Sequence, residues 1–457
     1  MNAQPLPHIF RRYYSQIINW SNRIKGSRHT DYGLLFISMI LGIGVGLSIV
    51  VFHTAMHLAE YFFDEVFLFS DTYLHIGRFF FPVITAFGGL CVGILSTKVF
   101  FRSHGEGLHM LVEAIRHKNG KLHWISTFKA VVTAALSIGS GGGGGKEGPI
   151  ILLGSSIGST LGQLANLRPA VLRTLCASGA AAAISGIFNA PLAGLVFALE
   201  GIYGEFALGS FISVVVSSVL STVVARTFLG NTPVINFPAG IQITLIDYVY
   251  IGIGGLTCGL VSIYYLKLYQ EVHVRFARLI KNISPVFRPM IGGLLTGILA
   301  SALPTLLETT YTPINMAIAG KYTLMIVAAT FLAKPFSNAF TLSSGGSGGT
   351  FAPVLKAGAM WGVLFGTISQ GITPSLSPAL YAIISAGAVL SGTWRIPLTG
   401  AILICEASHN YDLLLPMLFA CTLSVFMAGR FTRIESFNPL ESKEESEFTF
   451  EKHTPAN

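Results

Sequence analysis

The chain has 457 residues, of which 52% are hydrophobic and 11% are charged, and its mean hydropathy is +0.64. Soluble domains carry about 25% charged residues, so this composition excludes an ordinary soluble protein and predicts one that crosses a membrane several times. The net charge of +8 is explained by basic loops at a membrane surface. No nucleic-acid partner is expected, because the charge forms no basic face on a soluble domain.

Residues 1–32 form a basic segment in front of the first apolar run. The first 30 residues contain five Arg or Lys and no acid, and no small-residue cleavage site of a signal peptide follows them. Basic loops lie on the cytoplasmic side of membrane proteins, so this segment is predicted to be cytoplasmic. The basic loop around Arg116, Lys118 and Lys121 is predicted to lie on the same side.

Long apolar runs recur from about residue 33 to about residue 428. Runs of about 18 to 20 residues predict membrane helices, and shorter runs fit broken or partly buried helices. The main runs are Leu34–Val51, Phe79–Phe101, Thr127–Ile138, Phe211–Val224, Met290–Leu303 and Leu413–Ala428. The 50 glycines fit close helix packing and helix breaks in a membrane. The sequence therefore predicts an all-α polytopic membrane protein embedded in a lipid bilayer.

An internal repeat divides the apolar part into two halves, residues 33–227 and 245–430. The first half contains Ser140, five glycines and Lys146-Glu147-Gly148-Pro149, and the second contains the glycine-rich run Ser344–Pro353. A second pair of motifs starts at Pro191 and Pro397, and in each a glutamate follows nine residues later. Duplicated transporters often have inverted halves, whose broken helices meet at a site near the membrane midplane.

Glu147 is the first candidate for a functional residue. Pro149 is well tolerated in the first turn of a helix, so Lys146 and Glu147 are predicted to lie at a helix N-terminus. Such an end attracts anions, and a carboxylate there could compete with an anion until it is protonated. Glu147 is therefore predicted to be both gate and proton acceptor. The alternative is a purely structural helix cap.

Other residues near the two glycine-rich breaks are candidates for anion binding. Gly148, Thr350 and Phe351 would offer backbone N–H groups, which can hold a halide without a full countercharge. Lys146 would add positive potential, or would be the structural partner of an acid elsewhere. The break that contains Gly105 and Glu106 is either another helix start aimed at the pathway or a cytoplasmic loop. The glutamates of the second motif pair, Glu200 and Glu406, are predicted to cap helices or make a packing bond.

No enzyme and no cofactor are predicted. Gly145-Lys146 is similar to the end of a phosphate-binding loop, but Glu147 stands where that loop needs a hydroxyl residue. No metal-ligand spacing and no nucleophile motif is found, and the five cysteines lie unpaired in apolar segments. The tail, residues 431–457, has six Glu against three Lys or Arg. It is predicted to be cytoplasmic and is too short for another domain.

These motifs resemble the CLC family of chloride channels and proton-coupled chloride antiporters, in its bacterial type without CBS domains. Gly145–Pro149 is similar to the family's Gly-Arg/Lys-Glu-Gly-Pro motif, Gly349–Pro353 to its Gly-x-Phe-x-Pro motif, and Phe188–Gly194 to a third segment. The resemblance implies a homodimer in a bacterial inner membrane, with one pore per subunit and inverted halves of tilted, broken helices. It implies chloride as the transported ligand and Glu147 as the external gate.

The sequence departs from this family at three places. Glu106 and His109 stand where the resemblance implies a serine that contacts the anion and a proline, which puts the usual selectivity in doubt. Gly201 stands where many antiporters carry an inner proton-transferring glutamate, and Glu200, Glu205 or Glu106 are the candidates to replace it. Glu441 stands where the resemblance implies an inner-gate tyrosine.

The sequence therefore favours an anion transporter that is gated by protonation of Glu147 and is channel-like or weakly coupled to protons, because Gly201 carries no titratable group. The alternative is a strict proton/chloride antiporter with a non-standard proton path. A fluoride-selective variant is not favoured. From a different class, the alternative is a membrane sensor or scaffold that has lost transport.

Overall fold

The computed structural model describes residues 29–74, 77–99, 107–203, 211–238, 243–307 and 311–430, which are built from α-helices. The helices of the first half are α1 (His29–Leu74), α2 (Phe81–Ile94), α3 (Gly107–His117), α4 (Trp124–Gly139), α5 (Glu147–Leu164), α6 (Pro169–Phe188), α7 (Pro191–Phe197) and α8 (Phe211–Leu229). Those of the second half are α9 (Leu245–Leu279), α10 (Arg288–Ala302), α11 (Thr312–Ile318), α12 (Leu324–Ser343), α13 (Phe351–Ile372), α14 (Pro378–Trp394), α15 (Pro397–Ala407) and α16 (Leu414–Gly429).

Short turns of tighter or wider helix extend this set. They are 3-10 turns at Gly77–Phe80, Pro304–Leu306 and Tyr411–Leu413, and π-helical turns at Leu95–Val99 and Ala198–Tyr203. Within the described residues, eight helices are long and apolar enough to cross a membrane. Large apolar side chains such as Val51, Phe87 and Ile253 are at least half exposed on their outer surface, as expected for a lipid-facing wall. The prediction of an all-α polytopic membrane protein is confirmed.

The two halves pack against each other as a two-fold repeat. In the crossing of α2 and α10, a Cβ on Gly89 would lie 2.2 Å from the carbonyl oxygen of Pro289, and a Cβ on Gly293 would lie 2.2 Å from that of Thr85. The turns after α4 and α12 are also alike, because Gly141 and Gly345 both have a left-handed backbone, with φ of +92° and +96°. The predicted repeat is thus present in three dimensions.

Glycines also bring α5 onto α6 and α13 onto α14. A Cβ on Gly158 would lie 2.1 Å from the carbonyl oxygen of Leu175, and one on Gly362 would lie 2.3 Å from that of Tyr381. Small residues allow such close backbone approach between membrane helices. The pairs fix α5 and α13 against the buried helices of their halves, and so fix where the N-termini of α5 and α13 point.

We expect Gly362→Ala to lower the free energy of unfolding by about 1–3 kcal/mol, because the added methyl group would overlap a backbone carbonyl. Gly371, on the same helix, is the matched control, since a Cβ there would have no heavy atom within 4 Å. The apparent melting temperatures of the purified variants in detergent would test this. Equal melting temperatures for the two alanine variants would contradict the tight crossing.

Candidate functional site

The N-termini of α5 and α13 meet at one point inside the protein. Gly145 and Gly349, just before these helices, form an antiparallel bridge with two N–H···O bonds of 2.7 Å. Since the paired segments run in opposite directions, the two helices bring their free N–H groups and partial positive charges to the same place from opposite halves. Such a place favours an anion.

The Glu147 side chain lies at this meeting point and is fully buried. Its Oε2 accepts a hydrogen bond of 3.3 Å from the backbone N–H of Ala352 in the first turn of α13. Its Oε1 accepts a hydrogen bond of 2.5 Å from the Tyr311 hydroxyl. The carboxylate of one half therefore occupies the anion-attracting helix end of the other half, as a gate that competes with an anion would do.

An aromatic wall encloses the carboxylate. Tyr311 packs on Phe188 with ring centroids 5.7 Å apart, Phe188 packs on Phe351 at 5.6 Å, and Phe351 packs on Trp394 at 5.6 Å. Each ring comes from a different element, so the wall joins both halves around the meeting point. All four rings belong to the buried hydrophobic core.

The ammonium of Lys146 lies over the ring of Tyr311, 5.4 Å from its centroid. This is a cation–π contact. Among the described residues, no carboxylate lies within ion-pair distance of this ammonium. The carboxylates of Glu147 and Glu60 interact with this ammonium through charge at longer range.

A cavity of about 160 Å³ leads to the gate. The polar and basic residues on its wall are His53, Lys146, Asn189, Arg226, Thr232 and Tyr311. Among the described residues that line it there is no Asp or Glu. Lys146 and Arg226 thus give the described lining positive charge, and the lining includes Tyr311, which donates a hydrogen bond to Glu147.

Tyr311 is the residue that the sequence analysis missed. It precedes α11 as its N-cap residue and is 7% exposed. No repeat motif surrounds it, and only the folding of the chain brings it, from 164 positions away, to Glu147. The sequence contains no signal that would have identified it.

The structure brings together five of the residues that the sequence singled out for the site: Lys146, Glu147, Gly148, Thr350 and Phe351. Thr350 is the N-cap of α13 and Phe351 its first residue, and both are buried. Backbone N–H groups in the first turn of a helix lack intrahelical acceptors. The other candidates, Gly105, Glu106, Glu205 and Glu441, lie outside the described residues.

Glu200 of the first half caps a helix of the second half, and Glu406 of the second half caps a helix of the first. Glu200 accepts hydrogen bonds from the N–H groups of Leu398 (3.0 Å) and Thr399 (2.8 Å) at the start of α15. In the reciprocal arrangement, Glu406 accepts them from Leu192 (3.2 Å) and Ala193 (2.8 Å) at the start of α7. Each glutamate thus caps a helix, as the spacing in the repeat predicts, and each also accepts a hydrogen bond from a side-chain hydroxyl, that of Thr399 or Tyr411.

We expect Glu200→Ala or Glu406→Ala to lower the free energy of unfolding by about 1–3 kcal/mol, because two backbone N–H groups lose their acceptors in each variant. Glu271 is the control, since it makes an exposed ion pair of 3.2 Å with Arg275, and such pairs contribute about 0–1 kcal/mol. Thermal unfolding in detergent would measure the difference. Melting temperatures like that of Glu271→Ala would contradict the capping role.

Comparison with known proteins agrees with this architecture. The sequence pattern of the voltage gated chloride channel family matches residues 88–429. The chain is 29% identical over 420 residues to the H(+)/Cl(-) exchange transporter ClcA of Vibrio cholerae, a match that covers 89% of this chain and 88% of the relative. It is 34% identical over 309 residues to ClcA of Citrobacter koseri, covering 64% of each protein.

Two solved structures share the fold. One is a slow cyanobacterial Cl-/H+ antiporter, with a TM-score of 0.81, 23% identity and coverage of 92% of this chain and 98% of that one. The other is a CLC-type fluoride/proton antiporter, with a TM-score of 0.76, 20% identity and coverage of 91% and 99%. At these identities the likeness establishes the fold alone. Because the family pattern spans most of the sequence, this chain belongs to the voltage gated chloride channel, or CLC, family.

Proposed function

We propose that this protein moves chloride or a related small monovalent anion across the membrane, along a path that passes the meeting point of α5 and α13. The observation that carries the proposal is the buried Glu147 carboxylate on the N-terminus of α13. A carboxylate at that place has the charge and the hydrogen-bond acceptors of the anion it would exclude. Membership of a family of anion transporters supports the same function.

Protonation of Glu147 is the proposed gating step. The ionised carboxylate is stabilised by the N–H of Ala352 and the hydroxyl of Tyr311. A proton removes the charge, which weakens both hydrogen bonds and the attraction to the helix end. The neutral Glu147 side chain then moves away, and an anion binds in its place. Transport is therefore expected to rise as the pH falls through the range in which Glu147 takes up a proton.

Glu147→Gln tests the gate, because glutamine has the shape of the protonated residue and does not ionise. In liposomes containing purified protein, we expect chloride flux through the unmodified protein to rise as the pH falls, and flux through Glu147→Gln to be independent of pH. Glu271→Gln, an exposed change, serves as control and should keep the pH dependence. Retained pH dependence in Glu147→Gln would contradict the gate.

The same assay separates transport from a function of a different class. A membrane sensor or scaffold without transport would give no flux at any pH, in the unmodified protein and in Glu147→Gln alike. The positive cavity that leads to the gate supports transport over this alternative.

The next question is how tightly anion transport is coupled to proton transport. We propose weak coupling, because Gly201 has no titratable group and a Cβ there would lie 3.1 Å from the ring of Phe197 and 3.5 Å from Ile396. Strict exchange is the second candidate, since the relatives and one structural neighbour described above are named as proton/chloride exchangers. Exchange would need a proton path that does not use position 201.

Reversal potentials measured across a pH gradient distinguish these two candidates. Weak coupling predicts a reversal potential close to that of the chloride gradient, whether or not a pH gradient is imposed. Strict exchange predicts a shift that grows with the pH difference, because each anion then moves with a fixed number of protons. A large shift that Glu147→Gln abolishes would establish exchange and overturn weak coupling.

The proposal also covers the oligomeric state of the protein and its orientation in the membrane. We propose a homodimer with one pore in each subunit, as family membership suggests, in a bacterial inner membrane. Both termini are proposed to be cytoplasmic, on the side of the basic α3–α4 connection, whose Lys118 and Lys121 are exposed. Cross-linking and reaction of single cysteines near the termini with an impermeant reagent would test these assignments.

A further inference from the structure

We propose that the hydroxyl group of Tyr311 is a ligand of the transported anion, at the place that the Glu147 carboxylate occupies in this structure. The proposal rests on the proposed function and deepens it by naming a side-chain donor of the pore. The ligand is a small monovalent inorganic anion that accepts hydrogen bonds, with chloride as the probe.

The donors at this place come from two separate elements. The Tyr311 O–H and the Ala352 N–H point at the two oxygens of one carboxylate, at 2.5 Å and 3.3 Å. Neither donor belongs to the helix that carries Glu147, so both stay in position when the side chain of Glu147 leaves. What remains is a pair of converging donors at a helix N-terminus, which is a site for an anion.

The phenol needs a new acceptor once Glu147 leaves. Tyr311 is 7% exposed, and its described hydrogen bond is the one to Glu147. A buried donor without an acceptor is unfavourable, so the departure of the carboxylate is favoured when an anion takes over the hydrogen bond. The same hydroxyl thus holds the closed gate and receives the anion that replaces it.

The ring of Tyr311 is fixed, which keeps its hydroxyl at a defined position. Phe188 packs on the ring and the Lys146 ammonium lies over it. The backbone carbonyl of Tyr311 accepts the N–H of Asn315 in the first turn of α11, and the Asn315 side chain donates to the carbonyl of Val234. The phenol is therefore positioned before an anion arrives, which lowers the cost of binding.

Access for the anion is provided by the cavity that Tyr311 itself lines. The cavity, of about 160 Å³, has room for several water molecules. Lys146 and Arg226 contribute positive charge to its wall, and none of the described residues that line it is an acid. Glu60 interacts with Lys146, and Glu406 interacts with Arg226. Arg226 is exposed and donates to the side chain of Asn189, so it attracts anions into the cavity, where Tyr311 is available as a donor.

The experiment removes the Tyr311 hydroxyl in the Glu147→Gln variant, which lacks the negative charge of the carboxylate. Chloride binding is measured by calorimetry on full-length protein in detergent, for Glu147→Gln, Glu147→Gln with Tyr311→Phe, and Glu147→Gln with Tyr381→Phe. Tyr381 is the matched control, because it is also buried and also donates to a carboxylate, that of Asp247 at 3.0 Å. Tyr311→Phe keeps the ring and its packing and removes only the O–H donor.

We expect Tyr311→Phe to weaken chloride binding roughly 10- to 100-fold in the Glu147→Gln background, the range of a hydrogen bond to a charged group, and Tyr381→Phe to leave it unchanged. Equal affinities for Glu147→Gln with and without Tyr311→Phe would overturn the inference, because Tyr311 would then act only on Glu147. The proposed function would stand in that case. Absence of both chloride binding and flux in Glu147→Gln alone would instead overturn the proposed function.

Discussion

The pairing of Gly145 with Gly349 is the interaction on which the site depends. Two short N–H···O bonds hold two chain segments from opposite halves side by side. Glycine allows this close approach, since a Cβ on Gly349 would lie 2.9 Å from the backbone nitrogen of Gly148. Without this pairing, the N-termini of α5 and α13 would not face one another, and neither helix end alone would make a two-sided site.

Electrostatics then decides what can occupy the meeting point. Two helix ends and the Lys146 ammonium place positive charge in a buried region, where charge is screened less than in water. In this structure the negative group that accepts these hydrogen bonds is the Glu147 carboxylate, and Glu60 interacts with the Lys146 charge without forming a close ion pair. Since a second negative charge at the same donors would be repelled, the carboxylate and a transported anion exclude each other. The proposed gating by protonation rests on this competition.

The sequence predicted the parts of this arrangement that repeat, and it failed where the chain does not repeat. Gly145–Pro149 and Gly349–Pro353 have matching spacing, so one implied the other, and capping by Glu200 and Glu406 followed from the same reasoning. That each of them caps a helix of the opposite half was not predicted. Tyr311 has no counterpart in the first half, and its ring reaches Glu147 only because α11 packs beside α13 and α14. Long-range proximity of this kind leaves no local pattern in a sequence.

The position of Tyr311 also bears on the two departures from the family at Glu106 and Glu441. The resemblance implies hydroxyl groups as anion ligands at those positions, and this chain has carboxylates, which repel an anion unless they are protonated. As the proposed anion ligand, Tyr311 supplies a hydroxyl donor between Lys146 and the start of α13. Under the proposed function, the anion then binds at the place that Glu147 occupies in this structure. Protonation of Glu147 would therefore control both the binding of the anion and its passage.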